Sequence, residues 1–433
     1  MTNGPTAPSP GIAVTDEAAG QNIRDARILI ADDEPLCIRL LAAILQKHRF
    51  TNLRFADGGK AAVELVHTFQ PDLVLLDMQM PDIGGLEVCQ QVRSHSDFVD
   101  VPILVQTATV SRKEMGELFA AGASDFLSKP INPSELVARV IVHLERRNLL
   151  RELREYRERI SQELEAARRM QFELLPSPLA QHELAAAAGL RIASYNRSSS
   201  EIGGDLWGVL PIDGAGFGVF LADFTGHGVN AALNTFRLHA LIHEYKSLHD
   251  DPAALVTMLN ERLARLLPLG QFATFLYVVI DHAAGKLRWA SAGAPSPIVT
   301  DGLYGPSQLL DASGMPLGIA GGMEYEQHVR AFSPDSRLLL FSDGLPEFPN
   351  DAGERIGEPG LALAVDACHP GLNPCEVIER LCRAAGIAAH SALPDDTTII
   401  CIDRRIDAGA PSCRDCMFAR DPAPEPAHEC VAL

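Results

Sequence analysis

The first third of the chain alternates short, continuous apolar runs with amphipathic segments, and that alternation admits few folds. Arg27-Ile-Leu-Ile-Ala31, Asp72-Leu-Val-Leu-Leu-Asp77, Val101-Pro-Ile-Leu-Val-Gln106 and Ser124-Asp-Phe-Leu-Ser128 read as buried strands. A further strand is expected near Leu53 to Phe55, and Leu36 to His48 has helical spacing. Strands apolar on both faces and separated by helices belong to a parallel sheet covered on both sides, a doubly wound α/β arrangement. In such a sheet, ligands bind outside the carboxyl ends of the strands. Asp32, Asp33, Asp77, Thr107 and Lys129 all fall at those ends.

Carboxylates gathered without His or Cys at ligand spacing call for hard, oxygen-loving cations such as Mg²⁺ or Mn²⁺. Asp32 and Asp33 are expected to hold one divalent ion. Asp77 would complete its shell and act as a nucleophile toward a phosphoryl donor. Lys129 supplies a fixed cation for the phosphoryl oxygens, and the Thr107 hydroxyl a hydrogen bond. An Asp pair after a strand often does no more than cap the next helix; five polar groups at successive strand ends ask for another reason. Ala31-Asp-Asp-Glu34, Leu76-Asp-Met-Gln-Met-Pro81, Thr107-Ala108 and Lys129-Pro130 together resemble a response-regulator receiver domain over about residues 26 to 146. The resemblance implies a flavodoxin-like fold, a bound Mg²⁺, Asp77 as phosphoacceptor for a sensor histidine kinase, and Thr107 with Phe126 as the switch pair.

Residues 134 to 175 read as one long helix. Apolar or small residues at 149, 153, 156, 160, 164, 167, 170 and 174 repeat with a mean step of about 3.5, the mark of a coiled-coil seam. Eight Arg and seven Glu between His143 and Leu175 cover the other faces. Pairing of two such helices, and so a homodimer, is expected. Pro176 and Pro178 end the run.

From Leu190 the pattern changes to short strands, Phe217 to Asp223, Ala273 to Asp281, Lys286 to Ser291 and Arg337 to Ser342, with a turn at Asp281-His-Ala-Ala-Gly285. Helices are expected at Asn230 to Leu248, Asp251 to Leu267 and Pro374 to Ala388, giving a layered α+β domain. Four runs here share one logic: Gly203-Gly-Asp205, Ala222-Asp-Phe-Thr-Gly-His-Gly228, Phe341-Ser-Asp-Gly344 and Asp395-Asp-Thr-Thr398. Each sets a carboxylate beside residues small enough for backbone and ion to approach closely. A single Asp-Gly is usually a turn. Four in one domain point to two Mn²⁺ or Mg²⁺ ions that clamp a water and a phosphoester, with no Ser, Cys or His nucleophile needed.

In this order the runs resemble the metal-dependent serine/threonine protein phosphatase (PPM) family, in its bacterial branch serving stress and sporulation sigma-factor switches. The likeness spans about residues 162 to 403. It includes the lead-in Glu163-Leu-Glu-Ala-Ala-Arg-Arg-Met-Gln171 with Leu174-Leu-Pro176, then Gln271-Phe-Ala-Thr274 and Gly314-Met-Pro-Leu-Gly318. It implies a β-sandwich in which Asp223 bridges the two metals with the Phe224 carbonyl as a further ligand. Asp343 and Asp395 would hold the second ion, and Asp205 would act directly or through water. Gly208 stands where the family often has a second Asp, and Ser291-Ala-Gly-Ala294 where it often has Asn-Ala-Gly-His. His227 is expected to be structural.

The domain plan is an arm at 1–23, a receiver at 24–146, a helical linker at 147–178, a phosphatase domain at 179–405 and a tail at 406–433. Arm and tail have the composition of disordered segments, and Cys413, Cys416, His428 and Cys430 of the tail are expected to be free rather than zinc-bound. A net charge of −19 and a pI near 5.1 argue against nucleic acid and against an anionic membrane as partners. Nine scattered cysteines fit a reducing cytoplasm. The resemblances together imply a response regulator that dephosphorylates phosphoserine or phosphothreonine on a STAS-type anti-sigma-factor antagonist. The rival is a receiver-controlled pseudophosphatase adaptor that binds a sigma-factor regulator without hydrolysis. Its signature would be lost metal carboxylates, and all four are present.

Overall fold

The computed structural model describes residues 23–108, 112–212, 216–226, 228–302, 305–349, 353–369, 371–388 and 393–404. The expectations for the N-terminal arm, the C-terminal tail and His227 lie outside these residues. The chain divides into two compact units, Met1–Ile160 and Ser161–Leu433.

In the first unit, β1 (Ile28–Ala31), α1 (Pro35–Lys47), β2 (Leu53–Ala56), α2 (Gly59–Phe69), β3 (Leu73–Asp77), α3 (Gly85–Arg93), β4 (Ile103–Thr107), α4 (Arg112–Ala120) and β5 (Asp125–Ser128) alternate. The strands lie in the order β2-β1-β3-β4-β5, and all pairs are parallel. Successive side chains point to opposite faces. Ile28, Ile30, Leu73, Leu75 and Leu104 therefore pack with α1 and with Leu136, Val140 and Leu144 of the next helix. Leu29, Val74, Leu76, Ile103 and Val105 pack with α2, α3 and α4. This is the doubly wound, flavodoxin-like sheet that the apolar runs predict.

Helix α5 runs unbroken over Pro133–Phe172. In the first unit its polar side chains step along one stripe: Arg139 and His143 reach Asp125 at 2.6 and 3.1 Å, Arg147 reaches Asp72 at 3.3 Å, and Arg154 pairs with Asp100. Of the heptad positions, Leu149, Leu153, Tyr156 and Met170 are exposed. In the second unit Leu174 packs against the core just beyond the helix end.

That unit comprises α6 (Pro178–Ala187), β6 (Arg191–Arg197), β7 (Asp205–Ile212), β8 (Gly216–Phe224), α7 (Val229–Glu244), α8 (Pro252–Leu266), β9 (Ala273–Asp281), β10 (Lys286–Ala292), β11 (Ile298–Thr300), β12 (Ser307–Leu309), β13 (His328–Ala331), β14 (Ser336–Phe341), α9 (Gly357–Asp366), α10 (Pro374–Ala385) and β15 (Thr397–Arg404). Two antiparallel sheets form, β13-β10-β9-β8-β7 and β12-β11-β14-β15-β6. Phe217, Val219, Leu221, Leu276, Val278 and Ile280 of the first meet Leu338, Leu340, Ile400 and Ile402 of the second. The alternate residues Phe220, Ala222, Phe224, Phe275 and Tyr277 face α7 and α8. Phe341, Ile399 and Cys401 face α9 and α10. The result is a helix–sheet–sheet–helix sandwich.

Strands β6, β7, β11, β12, β13 and β15 and helices α6 and α9 add to the elements expected from the sequence. Cys37, Cys89, Cys368 and Cys382 are free thiols. Cys375 is disulfide-bonded.

Candidate functional site

The first candidate site sits at the carboxyl ends of β1, β3 and β5. Asp32 follows β1 and is fully buried, Asp77 ends β3 and is nearly so, and Asp33 is exposed. One carboxylate oxygen from each of the three lies within 4.8 Å of the other two. Lys129 Nζ approaches Asp77 Oδ1 at 2.9 Å and Asp32 Oδ2 at 3.3 Å, while the Glu34 N–H donates to Asp32 Oδ1 at 2.8 Å. Burial raises the Asp32 carboxyl above the ordinary range, against the pull of the Glu34 N–H and Lys129. For Lys129 burial acts to lower the ammonium, but Asp77 and Asp32 raise it overall.

The sheet register brings Thr107 beside this group, since Asp77 pairs with Gln106 and the Lys129 N–H donates to the Thr107 carbonyl at 2.8 Å. Phe126 is half-buried under the Arg139 guanidinium, 5.8 Å from its ring centre. Gly85 has a steric reason: a Cβ there would stand 2.5 Å from the Asp77 carbonyl. Asp82, absent from the sequence reading, holds the loop after β3 by accepting from Gly59 and Lys60 N–H at 2.7 and 2.8 Å.

The second candidate site lies at the ends of β7, β8, β14 and β15, strands of the two antiparallel sheets. Asp205 opens β7 directly opposite Asp223 on β8. Asp343 follows β14, and Asp395 precedes β15. Thr398 Oγ1 donates to Asp205 Oδ2 at 2.6 Å, and Asn196 Nδ2 donates to Thr398 Oγ1 at 2.8 Å. Asp396, 2% exposed, accepts from Ser199 N–H at 2.7 Å, Ser199 Oγ at 3.0 Å and the Gly204 N–H. A Cβ on Gly204 would sit 2.8 Å from the Phe224 carbonyl and 3.4 Å from Asp223 Oδ1, so only glycine lets this backbone lie against both.

Burial pushes the Asp223 carboxyl up to about 10, with Asp205, Asp343, Asp395 and Asp396 adding repulsion. Burial pushes Asp205 up to about 7, with Asp396 and Asp343 adding and Thr398 and Ser342 opposing. Asp343 is also raised, by burial and then by Asp395 and Glu347. Such a group is short of positive charge. Among the described residues, Asp205 Oδ1 and Asp343 Oδ1 are buried without a hydrogen-bond partner. Orphaned carboxylate oxygens among repelling neighbours fit a divalent cation, the partner with enough charge to offset their burial. Only the receiver trio among the described residues brings three ligand atoms within 4.8 Å; the second group is more open.

Asp396, Thr398, Asn196 and Ser199 support this site beyond the residues that the sequence points to. Asp396 and Thr398 lie within the Asp395-Asp-Thr-Thr398 run and could have been suspected from it. Asn196 and Ser199 carry no local signal. Gly208 has a packing reason, since a Cβ there would stand 2.5 Å from the Phe220 ring.

Residues 28–141 match the family model of the response regulator receiver domain, and residues 213–405 that of stage II sporulation protein E (SpoIIE). Over 187 residues the chain is 31% identical to phosphoserine phosphatase RsbP of Bacillus subtilis, covering 42% of this chain and 45% of RsbP. Over 124 residues it is 36% identical to the transcriptional regulatory protein YvrH of Bacillus subtilis, covering 29% of this chain and 51% of YvrH. The chain thus spans about half the length of these curated relatives. The SiaA-PP2C domain of Pseudomonas aeruginosa superposes with a TM-score of 0.50 at 21% identity, covering 58% of this chain and 99% of that domain. This likeness shows a PP2C fold.

Proposed function

The chain joins a response-regulator receiver domain to a SpoIIE-type domain of PP2C fold, and we propose that it is a two-component regulator whose output is divalent-metal-dependent protein phosphatase activity. The substrate class is phosphoserine or phosphothreonine on a partner protein, which the phosphoserine phosphatase RsbP supports by its name. The partner proposed is a STAS-type anti-sigma-factor antagonist. The observation that carries this reading is the mutually repelling cluster of Asp205, Asp223, Asp343 and Asp395, with two buried oxygens lacking partners.

In the receiver, Asp77 would accept a phosphoryl group from a sensor histidine kinase. One of its oxygens attacks phosphorus and the bond to the donor nitrogen breaks. Asp32 and Asp33 would hold Mg²⁺, Lys129 would pair with the new phosphoryl oxygens, and Thr107 would turn its hydroxyl toward them with Phe126 repacking behind. In the second domain, Asp223 and the Phe224 carbonyl, with Asp343, Asp395 and Asp205, would hold two Mn²⁺ or Mg²⁺ ions. When bound, these cations supply charge for the phosphoryl oxygens and lower the pKa of the attacking water. Thr398 holds Asp205, and Asp396 holds the Gly204 backbone, before substrate arrives. The exposed stripe Leu149, Leu153 and Tyr156 would pair α5 with a second copy, giving a homodimer through which loading of Asp77 activates the output.

A cytoplasmic, membrane-free location is part of this reading. Among the described residues no helix is long and apolar enough to cross a membrane. Hydrolysis of a small phosphoester with Mn²⁺, compared between wild type and Asp223→Asn, tests the enzyme. Equal rates would mean an adaptor that binds without hydrolysis. Turnover of a phosphopeptide with and without a small phosphodonor, in wild type and Asp77→Asn, tests the control. A rate indifferent to the donor in wild type would end the regulatory half.

A further inference from the structure

Gln171 occupies the last turn of α5, the helix that starts in the receiver unit and ends in the SpoIIE-type unit. Its side chain is buried. Its Nε2 donates to the Gly203 carbonyl at 2.8 Å and to Thr235 Oγ1 at 3.0 Å. Its Oε1 accepts from the Gly203 N–H at 3.3 Å. One planar amide thus grips both polar groups of a single backbone residue and still reaches α7, where Thr235 Oγ1 in turn donates to the Ala232 carbonyl at 2.7 Å.

Both things that Gln171 holds adjoin the acid cluster. Gly203 is two residues before Asp205, and α7 begins five residues after Phe224, which with Asp223 ends strand β8. The next residue, Gly204, donates its N–H to Asp396 and lies against the Phe224 carbonyl. The Gly203-Gly204 backbone is therefore suspended between two side chains. Asp396 belongs to the run leading into β15, within the sandwich. Gln171 belongs to the helix that arrives from the receiver.

We propose that Gln171 is a positioning residue for the second site. Its amide fixes the Gly203-Gly204 backbone, and through it Asp205 and the Phe224 carbonyl, in the arrangement that accepts cations. A shift of α5 that withdraws the amide lowers the affinity of the domain for those cations. The inference rests on the phosphatase reading and specifies how that site is controlled. The amide carries a donor and an acceptor on one rigid plane, and these meet the Gly203 C=O and N–H together. A leucine fills the same space but leaves both Gly203 groups buried and unpaired, and the loop relieves that by moving. Gly204 touches Phe224, so the movement reaches a metal-facing carbonyl directly.

The test is Mn²⁺ binding by calorimetry on the full chain, in an Asp33→Asn background that silences the receiver site, with and without Gln171→Leu. The variant is expected to bind about 10–100-fold more weakly. In the metal-free chain, hydrogen exchange at the Gly203 and Gly204 amides should rise about ten-fold or more. Hydrolysis at saturating manganese should return to within about three-fold of the parent, a defect in metal demand rather than in kcat. Thr235→Val removes only the arm to α7 and should weaken binding by a smaller factor, which keeps the inference open to refutation if Gln171→Leu does not fold. Unchanged Mn²⁺ affinity in the variants, or a loss of hydrolysis that manganese does not restore, overturns the inference while the phosphatase reading survives. A parent chain that takes up no manganese overturns both.

Discussion

Thr398 donates its hydroxyl to Asp205 Oδ2 at 2.6 Å across a separation of 193 residues, and so joins β15 of one sheet to β7 of the other. The bond occupies one oxygen of the carboxylate and leaves Oδ1 buried and unpartnered. A carboxylate held by one oxygen, with the other kept free, is prepared for an ion before the ion arrives.

Thr398→Val removes that donor and also the acceptor of the Asn196 amide. Stability is expected to fall by about 1–3 kcal/mol in urea denaturation. Manganese-dependent hydrolysis is expected to fall by about 10–100-fold. Thr398→Ser should restore most of both; a valine variant as active as wild type would show that the hydroxyl is idle.

Asp223→Asn should separate stability from activity. It removes the carboxylate that burial, and then its acidic neighbours, push up to about 10. The metal-free variant is therefore expected to be more stable than wild type, by about 0.5–2 kcal/mol, while hydrolysis is lost. Manganese should raise the melting temperature of wild type well above that of the variant. A metal-free variant that melts earlier than wild type would contradict the repulsion.

Lys129 neutralises two acids at once. Lys129→Met leaves the buried Asp32 without its cation and is expected to cost about 1–3 kcal/mol. Loading of Asp77 by a small phosphodonor, followed by intact mass, should slow markedly even with excess Mg²⁺. Loading at the wild-type rate would remove Lys129 from the phosphoryl-binding role.

Leu153 lies on the exposed stripe of α5. Leu153→Lys puts a charge in the middle of the proposed helix pair and should convert a dimer to a monomer, read by light scattering. Melting of the isolated variant should change little, because the side chain is solvated in a single chain. A wild-type monomer at all concentrations would exclude this route of coupling.

His239 and His243 on α7 face each other with Nε2 atoms 3.2 Å apart. Burial lowers both imidazoles below their ordinary range, and His243 lowers His239 further. A base depressed on folding binds its proton more readily when unfolded, so its stabilising contribution is complete above the unfolded value of about 6.5 and is lost as the pH falls below it. Thermal melts between pH 7.5 and 5 should show a decline that His243→Gln makes shallower. An identical slope in the variant would mean that other groups govern the acid side.

The legible parts of this protein were those in which chemistry and period coincide. Strands β1, β3 and β4 are apolar on both faces, and with the half-buried edge strand β5 they end at the residues of the first site, so one reading found sheet and site together. Strands β8, β9, β10 and β14 were visible for the same reason. Strand β7 was hidden by Gly208 and Pro211, which an edge strand tolerates. Strand β6, Arg-Ile-Ala-Ser-Tyr-Asn-Arg, is polar because it too is an edge, next to β15 alone. Neither has a strong local signal; each is a strand because a neighbour supplies its hydrogen bonds.

By itself the sequence determined which residue types were available: hard-ligand carboxylates in glycine-rich runs, a lysine and a threonine at strand ends, and an apolar stripe on a long charged helix. Those are local properties, set by side-chain chemistry and spacing. Tertiary structure alone decided that Asp205 faces Asp223, that Thr398 holds Asp205 and Asp396 the Gly204 backbone, and that Gln171 grips Gly203. Such partnerships depend on sheet register and on hydrogen bonds between residues tens to hundreds of positions apart, and no window of neighbouring residues contains them.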